Sequence, residues 1–217
     1  MQIILASNSP RRRELLSLTG WKYSVSPANI DESPRKGEKP EAYVLRLAAE
    51  KAAACQTDSL GLILAADTIV VENDQLLGKP EDPADAIRML QQLRGHAHKV
   101  MTAISLYDRK SNRIEKELCI TDVPMRDYTD EDVAAYVKSG DPLDKAGAYA
   151  IQHKGFHPVE DFHGCFASVM GLPLCHLRRL AARFDLPVAS TLVEECERVN
   201  HYACPIYRQV ENGVEIG

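Results

Sequence analysis

The sequence predicts an α/β fold, because strand-length apolar runs alternate with segments of helical periodicity. Three observations carry this. Residues 3–6 form a short apolar run that leads straight into a helix start at Ser9 and Pro10. Residues 60–66 form a continuous apolar run, short enough for a buried strand. Two later segments carry complete helix punctuation, a capping residue in front and a glycine behind.

In chain order, the first strand covers residues 3–6. Ser9 caps the helix that follows, Pro10 takes its first position, and Gly20 closes it. A short extended stretch spans residues 21–25, and a polar loop with two prolines spans 29–40. Residues 41–54 read as a helix, with Val44, Leu47 and Ala48 on one face. The strand at 60–66 is interrupted by Asp67 and Thr68 and resumes at 69–71, before a hairpin turn at 72–75. Asp82 caps and Pro83 opens the next helix, which Ala86, Leu90 and Leu93 line and Gly95 closes. Residues 99–107 and 113–124 read as long antiparallel strands. Thr129, with Asp132 three residues on, starts a helix that Gly140 closes. Residues 147–152 and 165–170 read as later strands, and 173–184 as a final core helix. The last ~30 residues lack clear periodicity and read as a surface-packed or partly disordered tail.

The bulk properties narrow the function. The chain has 217 residues, 45% of them hydrophobic and 26% charged, which suits one large globular unit or two small lobes. The net charge of −5 argues against a general nucleic-acid binder. A polyanion would need a local cluster of cations, or a metal ion. No run approaches the ~18 apolar residues of a membrane helix, and the first arginines follow the apolar run instead of preceding it as in a secretory signal. The chain therefore reads as cytoplasmic. Its six cysteines form no Cys-x-x-Cys pair and read as free thiols of a reducing compartment. Cys196, His201 and Cys204 lie close together but match no common zinc spacing.

The chemistry concentrates in a few places. Arg11, Arg12 and Arg13 occupy the first turn of a helix, where the dipole disfavours each cation by roughly 0.3–1 kcal/mol. With Ser7, Ser9 and free backbone N–H groups beside them, they suit a bound phosphate; the bland alternative is a solvated basic face. Asp67 breaks an apolar strand, and a buried carboxylate there costs several kcal/mol unless it is paired. It reads as a metal ligand or general base, or else as a cap for a turn. Lys79, between Gly78 and Pro80, suits a phosphate contact; the alternative is a loop lysine in solvent. Asp144 and Lys145 lie in a glycine-bounded loop leading to Gln152, whose amide suits a base edge or simply the surface. Lys51 ends a helical face that points toward the same place. Asp31 and Glu32 are loop carboxylates that could join Asp67 around Mg²⁺. His96 and His98 read as structural or solvent-facing.

Seven segments, taken in order, resemble the Maf family of nucleoside triphosphate pyrophosphatases. They are residues 5–12, 50–52, 66–70, 78–80, 98–102, 144–152 and 169–174. They cover residues 1 to about 185, leaving 186–217 as a C-terminal extension without a family reading. The resemblance implies a mixed, curved sheet with flanking helices, in two lobes around a deep cleft, like the inosine triphosphate pyrophosphatases. It also implies a homodimer and a divalent metal, Mg²⁺ or alternatively Mn²⁺ or Co²⁺.

The implied reaction is hydrolysis of a nucleoside triphosphate to the monophosphate and pyrophosphate, as a house-cleaning activity. Arg11, Thr68 and Gln152 match positions associated with the branch that prefers dTTP and UTP. On this reading Asp67 is the base and, with Glu32, a metal ligand. Lys79, Lys51, Arg11 and Arg12 neutralise the triphosphate, and Ser7 and Ser9 add hydrogen bonds. Asp144 and Lys145 shape the cleft, while Thr68 and Gln152 read the pyrimidine. The competing reading is a nucleotide-sensing regulator of cell division that acts by binding alone.

Overall fold

The computed structural model describes residues 2–217. One mixed sheet of six strands organises the chain. The strands are β1 (Ile3–Leu5), β2 (Tyr23–Val25), β3 (Leu62–Glu72), β4 (Gln75–Leu77), β5 (Ala97–Asp108) and β6 (Arg113–Pro124). They lie in the order β2-β1-β3-β5-β6, with β4 also on β3. β1 is parallel to β2 and β3, while β5 and β6 run antiparallel. The expected fold class, a mixed sheet with flanking helices around a cleft, is the one observed.

The outer edge of β3 is the feature that creates the cleft. β1 pairs with Leu62, Ile63 and Leu64, and β4 pairs with Val70, Val71 and Glu72. Between them, residues 65–69 have a strand partner only on the β5 side. Asp67 and Thr68 lie in that gap. They do not interrupt the strand, as the sequence suggested; they continue it, paired in register with Ala103 and Thr102. Their polarity is tolerated there because the other edge is left open.

The helices cover the sheet according to the period-2 alternation of its side chains. α1 (Pro10–Ser17) starts where the caps predict: the Ser9 hydroxyl accepts from the Arg12 N–H. α2 (Pro40–Ala54) covers one face, packing Val44 and Ala48 on Ile69, Val71, Met101 and Ala103. The opposite face carries two apolar clusters. One gathers Ile3, Leu5, Leu62, Leu64 and Ile104 under α1 and α6 (Leu174–Ala182). The other gathers Val70, Val100 and Val123 under α3 (Pro83–Leu93) and α4 (Asp130–Lys138). On β3 and β5, Thr68 and Thr102 form a polar seam between the two. α3 and α4 are capped by Asp82 and by the Thr129–Asp132 capping box, as expected.

Three further expectations fail. Residues 147–152 are not a strand: a 3₁₀ turn covers Ala146–Ala148, and Gly147 and Ala148 both take positive φ, which no strand accommodates. Residues 165–170 are not a strand either but a single helical turn, α5 (Phe166–Val169), because a short apolar run fits either state. Finally, the tail is neither disordered nor confined to the surface. It forms α7 (Leu192–Asn200) and α8 (Tyr207–Glu211), and Leu192, Ile206 and Val210 complete the first apolar cluster. Among the described residues no helix is long and apolar enough to cross a membrane. All six cysteines are unpaired, and no group of three metal-ligating side chains forms, at Cys196, His201 and Cys204 or elsewhere among those residues.

His98 ties β5 to the loop after the 3₁₀ turn, through a 2.8 Å bond between its Nε2 and the Tyr149 hydroxyl. Burial pushes its pKa down to about 4, below the ordinary 6.5. A depressed folded-state value means that stability is fully present above 6.5 and is lost as the pH falls toward 4. The loss should reach about 3 kcal/mol. Urea unfolding across this pH window should show it in the wild type, and His98→Gln, which cannot titrate, should lose that component.

Candidate active site

A cleft of about 1080 Å³ opens at the β3 gap, and every candidate residue except Asp31 and Arg13 lines it. One wall is the β1–α1 turn, with Ser7, Ser9, Arg11 and Arg12. The other combines Lys79, after β4, with the loop carrying Asp144, Lys145 and Gln152. α2 contributes Lys51, and the loop before it contributes Glu32. Asp31 is instead a loop cap that accepts from the Ser33 N–H at 2.9 Å, and Arg13 is exposed on α1.

Asp67 sits on the α2 face of the sheet and is 6% exposed. Its Oδ1 accepts from Lys51 Nζ at 2.6 Å, and the same nitrogen lies 2.9 Å from Glu32 Oε1. Burial raises the Asp67 pKa above the usual carboxylate range, although Lys51 and Arg12 pull it down. Two carboxylates thus converge on one ammonium, with the buried one held in an environment that favours taking up a proton.

Thr68 projects to the opposite face and meets Arg12. The Arg12 guanidinium donates from Nε to the Gly171 carbonyl (2.9 Å), from Nη1 to Ser7 Oγ (3.3 Å) and from Nη2 to Thr68 Oγ1 (3.1 Å). Three of its five N–H groups are therefore held by protein, and one on each terminal nitrogen remains free. Gly171 permits this approach. Its φ is +106°, and a Cβ there would stand 3.2 Å from Arg12 Nε. Ser7 Oγ also accepts from the Ser9 N–H, so its own proton is left for the cleft. Burial lowers the Arg12 pKa from its ordinary value, yet a guanidinium stays charged throughout the working range.

Lys145 is held by Asp144 at 2.7 Å and by Asp141 at 3.1 Å. Asp141, which also accepts from the Tyr136 hydroxyl at 2.7 Å, escaped the sequence reading. Its position four residues before Lys145 was the available signal. Tyr43 and Gly171 were missed as well; Tyr43 holds the Glu32 loop by donating to the Glu32 carbonyl at 2.7 Å. Five cations and four carboxylates line the cleft. The carboxylates are engaged with Lys51 and Lys145. Arg11 and Lys79 have no ion-pair or hydrogen-bond partner among the described residues, and Gln152 is exposed with its amide unengaged. The arrangement presents cations to an anion and a buried carboxylate to a water molecule.

A family model described as "Maf-like protein" matches residues 2–184. The chain is 44% identical over 186 residues to a dTTP/UTP pyrophosphatase of Geobacter sulfurreducens, covering 83% of this chain and 97% of that protein. It is 47% identical over 192 residues to a dTTP/UTP pyrophosphatase of Shewanella denitrificans, covering 84% and 96%. Among solved structures, a HAM1 protein from Coxiella burnetii aligns with 85% of this chain and 98% of its own, at 15% identity and a TM-score of 0.46.

Two substitutions separate the halves of the buried pair. Lys51→Met leaves two carboxylates without their shared cation and should destabilise the fold by about 3 kcal/mol. For Asp67 the raised folded-state value has the opposite sign: its titration favours the fold below the unfolded pKa and less so as the pH rises through the folded one. Asp67→Asn removes that dependence and should leave the neutral-pH unfolding free energy equal or higher. Denaturant midpoints of both variants across pH 4–8 check the contrast.

Proposed function

The chain belongs to the Maf family, and we propose that it hydrolyses dTTP and UTP to the monophosphate and pyrophosphate, as a house-cleaning enzyme. The observation that carries this reading is Asp67: a buried carboxylate with a raised pKa, on the floor of a cleft lined with cations. The names of its relatives supply the substrate. Water attacks the α-phosphorus, Asp67 takes the proton, the bond from that phosphorus to the bridging oxygen breaks, and pyrophosphate leaves. Lys79 and Arg11 meet the triphosphate as unengaged cations. Arg12 offers its two remaining N–H groups, Lys51 holds Asp67, and Ser7 donates its proton. Ser9 serves chiefly as the cap that presents the α1 N-terminus. Asp144 and Lys145 neutralise each other and shape the far wall. Gln152 and Thr68 face the base.

The donor set suits a divalent metal. Glu32 and Asp67 are hard oxygen donors that converge on the Lys51 ammonium, and the lining cations exceed the carboxylates by little against a polyanionic substrate. Glu32 and Asp67 would hold Mg²⁺, with Mn²⁺ or Co²⁺ as substitutes, and the ion would supply charge neutralisation and water activation. The unit that acts is residues 1–185, and 186–217 form an extension whose helices cover its core. The setting proposed is the cytoplasm, where the unpaired thiols stay reduced, and the assembly a homodimer; light scattering checks the latter.

A panel of nucleoside triphosphates with Mg²⁺, read as monophosphate and pyrophosphate released, tests the reading. Selective cleavage of dTTP and UTP is expected; no cleavage by folded protein would leave binding alone. Asp67→Asn should lower turnover by ~10²-fold or more. Near-normal turnover in that variant removes the base role. Gln152→Ala should blunt selectivity among bases more than it slows turnover.

A further inference from the structure

Thr102 is fully buried and makes no part of the cleft wall, yet it ends a chain of hydroxyls that reaches the cleft. Its Oγ1 donates to the Ser168 carbonyl at 2.8 Å. A carbonyl only accepts, so the single proton of Thr102 is committed there. The Thr68 and Thr102 hydroxyl oxygens are 3.0 Å apart. The proton between them is therefore that of Thr68. Thr68 also accepts from Arg12 Nη2. One lone pair remains and nothing is left to donate, so whatever Thr68 touches in the cleft must bring a hydrogen.

That polarity sorts the parts of a nucleoside triphosphate. Phosphate oxygens, and the O2 and O4 of uracil or thymine, are acceptors and find no partner in Thr68. At the N3 position uracil and thymine present an N–H donor, whereas cytosine presents an acceptor there and carries its donor on the exocyclic N4 instead. Thr68 also projects from the sheet face opposite to Asp67, away from the carboxylate assigned to the phosphate chemistry. We propose that Thr102 is a positioning residue for base selection. By taking the Thr68 proton it makes Thr68 an acceptor-only contact for the N3–H of uracil and thymine, and so favours UTP over CTP. The inference rests on the reading of the protein as a dTTP/UTP pyrophosphatase.

The test compares kcat/KM for UTP and CTP in the wild type, Thr102→Val and Thr102→Ser. Thr102→Val keeps the shape and removes the hydroxyl, which frees the Thr68 proton. The UTP:CTP ratio should fall by about tenfold, the scale of one hydrogen bond, and Thr102→Ser should hold it near the wild-type value. An unchanged ratio in folded Thr102→Val overturns the proposal, as does an equal fall in Thr102→Ser. A proportionate loss on both nucleotides also overturns it, because it would place Thr68 on a ribose hydroxyl. Should Thr102→Val fail to fold, Thr68→Val removes the acceptor itself: a fall in the ratio supports the proposal and a constant ratio overturns it. A wild type that cleaves neither nucleotide instead overturns the pyrophosphatase reading, and this inference with it.

Discussion

A strand has two edges and two faces, and β3 uses all four differently. Its inner edge pairs with β5 from Leu62 to Val71, which holds it straight through the middle of the molecule. Its outer edge pairs with β1 at one end and β4 at the other, and is left without a strand over residues 65–69. A third neighbour there would close the cleft. Because the edge is open, the side chains at the gap are reachable from solvent even though the strand is central. Because the strand is continuous, alternation sends Asp67 and Thr68 to opposite faces. One residue meets α2 and the other meets the α1 start and the segment after α5. The cleft wraps around a strand edge and so collects groups from both sides of the sheet.

The electrostatics follow from that placement. A carboxylate as buried as Asp67 is costly when ionised, and the structure meets the cost with one ammonium shared between Asp67 and Glu32. Burial outweighs the pull of Lys51 and Arg12, so the Asp67 pKa is raised. The far wall repeats the motif, with Lys145 held between Asp141 and Asp144. In both arrangements two carboxylates share one ammonium, so neither Lys51 nor Lys145 is left with spare positive charge. Arg11, Lys79 and Arg12 are the lining cations without a carboxylate partner among the described residues.

What the sequence revealed was local, and what it concealed was pairing at a distance. Ser9 with Pro10, Asp82 with Pro83 and Thr129 with Asp132 act within four residues, and each helix starts where they place it. Asp67 and Thr68 looked like a break because polar residues seldom sit in a central strand. Nothing local shows that β1 stops at Leu5 and that β4 begins only at Gln75. Residues 165–170 failed for lack of length, and 147–152 because Gly147 and Ala148 turn to positive φ. The tail hid its buried residues because Leu192 is the only buried residue of α7, and Ile206 and Val210, one turn apart, belong to a helix of only five residues and its cap. The cations and the buried carboxylate that line the cleft were legible by type, since such groups in apolar or glycine-bounded settings are conspicuous. Of their partners, Asp141 offered only its spacing from Lys145 as a signal and Thr102 offered none, because that pairing is made across the sheet.

The cations of the cleft also differ in kind. Arg12 is held on three of its nitrogens, and Gly171 clears the space in which it lies. A guanidinium so fixed has already lost most of its rotational freedom, so its remaining N–H groups meet a ligand at little further entropic cost. Arg11 and Lys79 have no such partners among the described residues, and under the proposed function they would follow a phosphate chain whose charge shifts as a bond breaks. A fixed fork suits a part of the substrate that stays in place, and mobile cations suit the part that departs. The same division separates Thr68, whose hydroxyl is locked in one direction by Thr102, from Gln152, whose amide is free to turn. Under the proposed function, selectivity would be better served by the locked group, because a contact that cannot rotate cannot adapt to the wrong base.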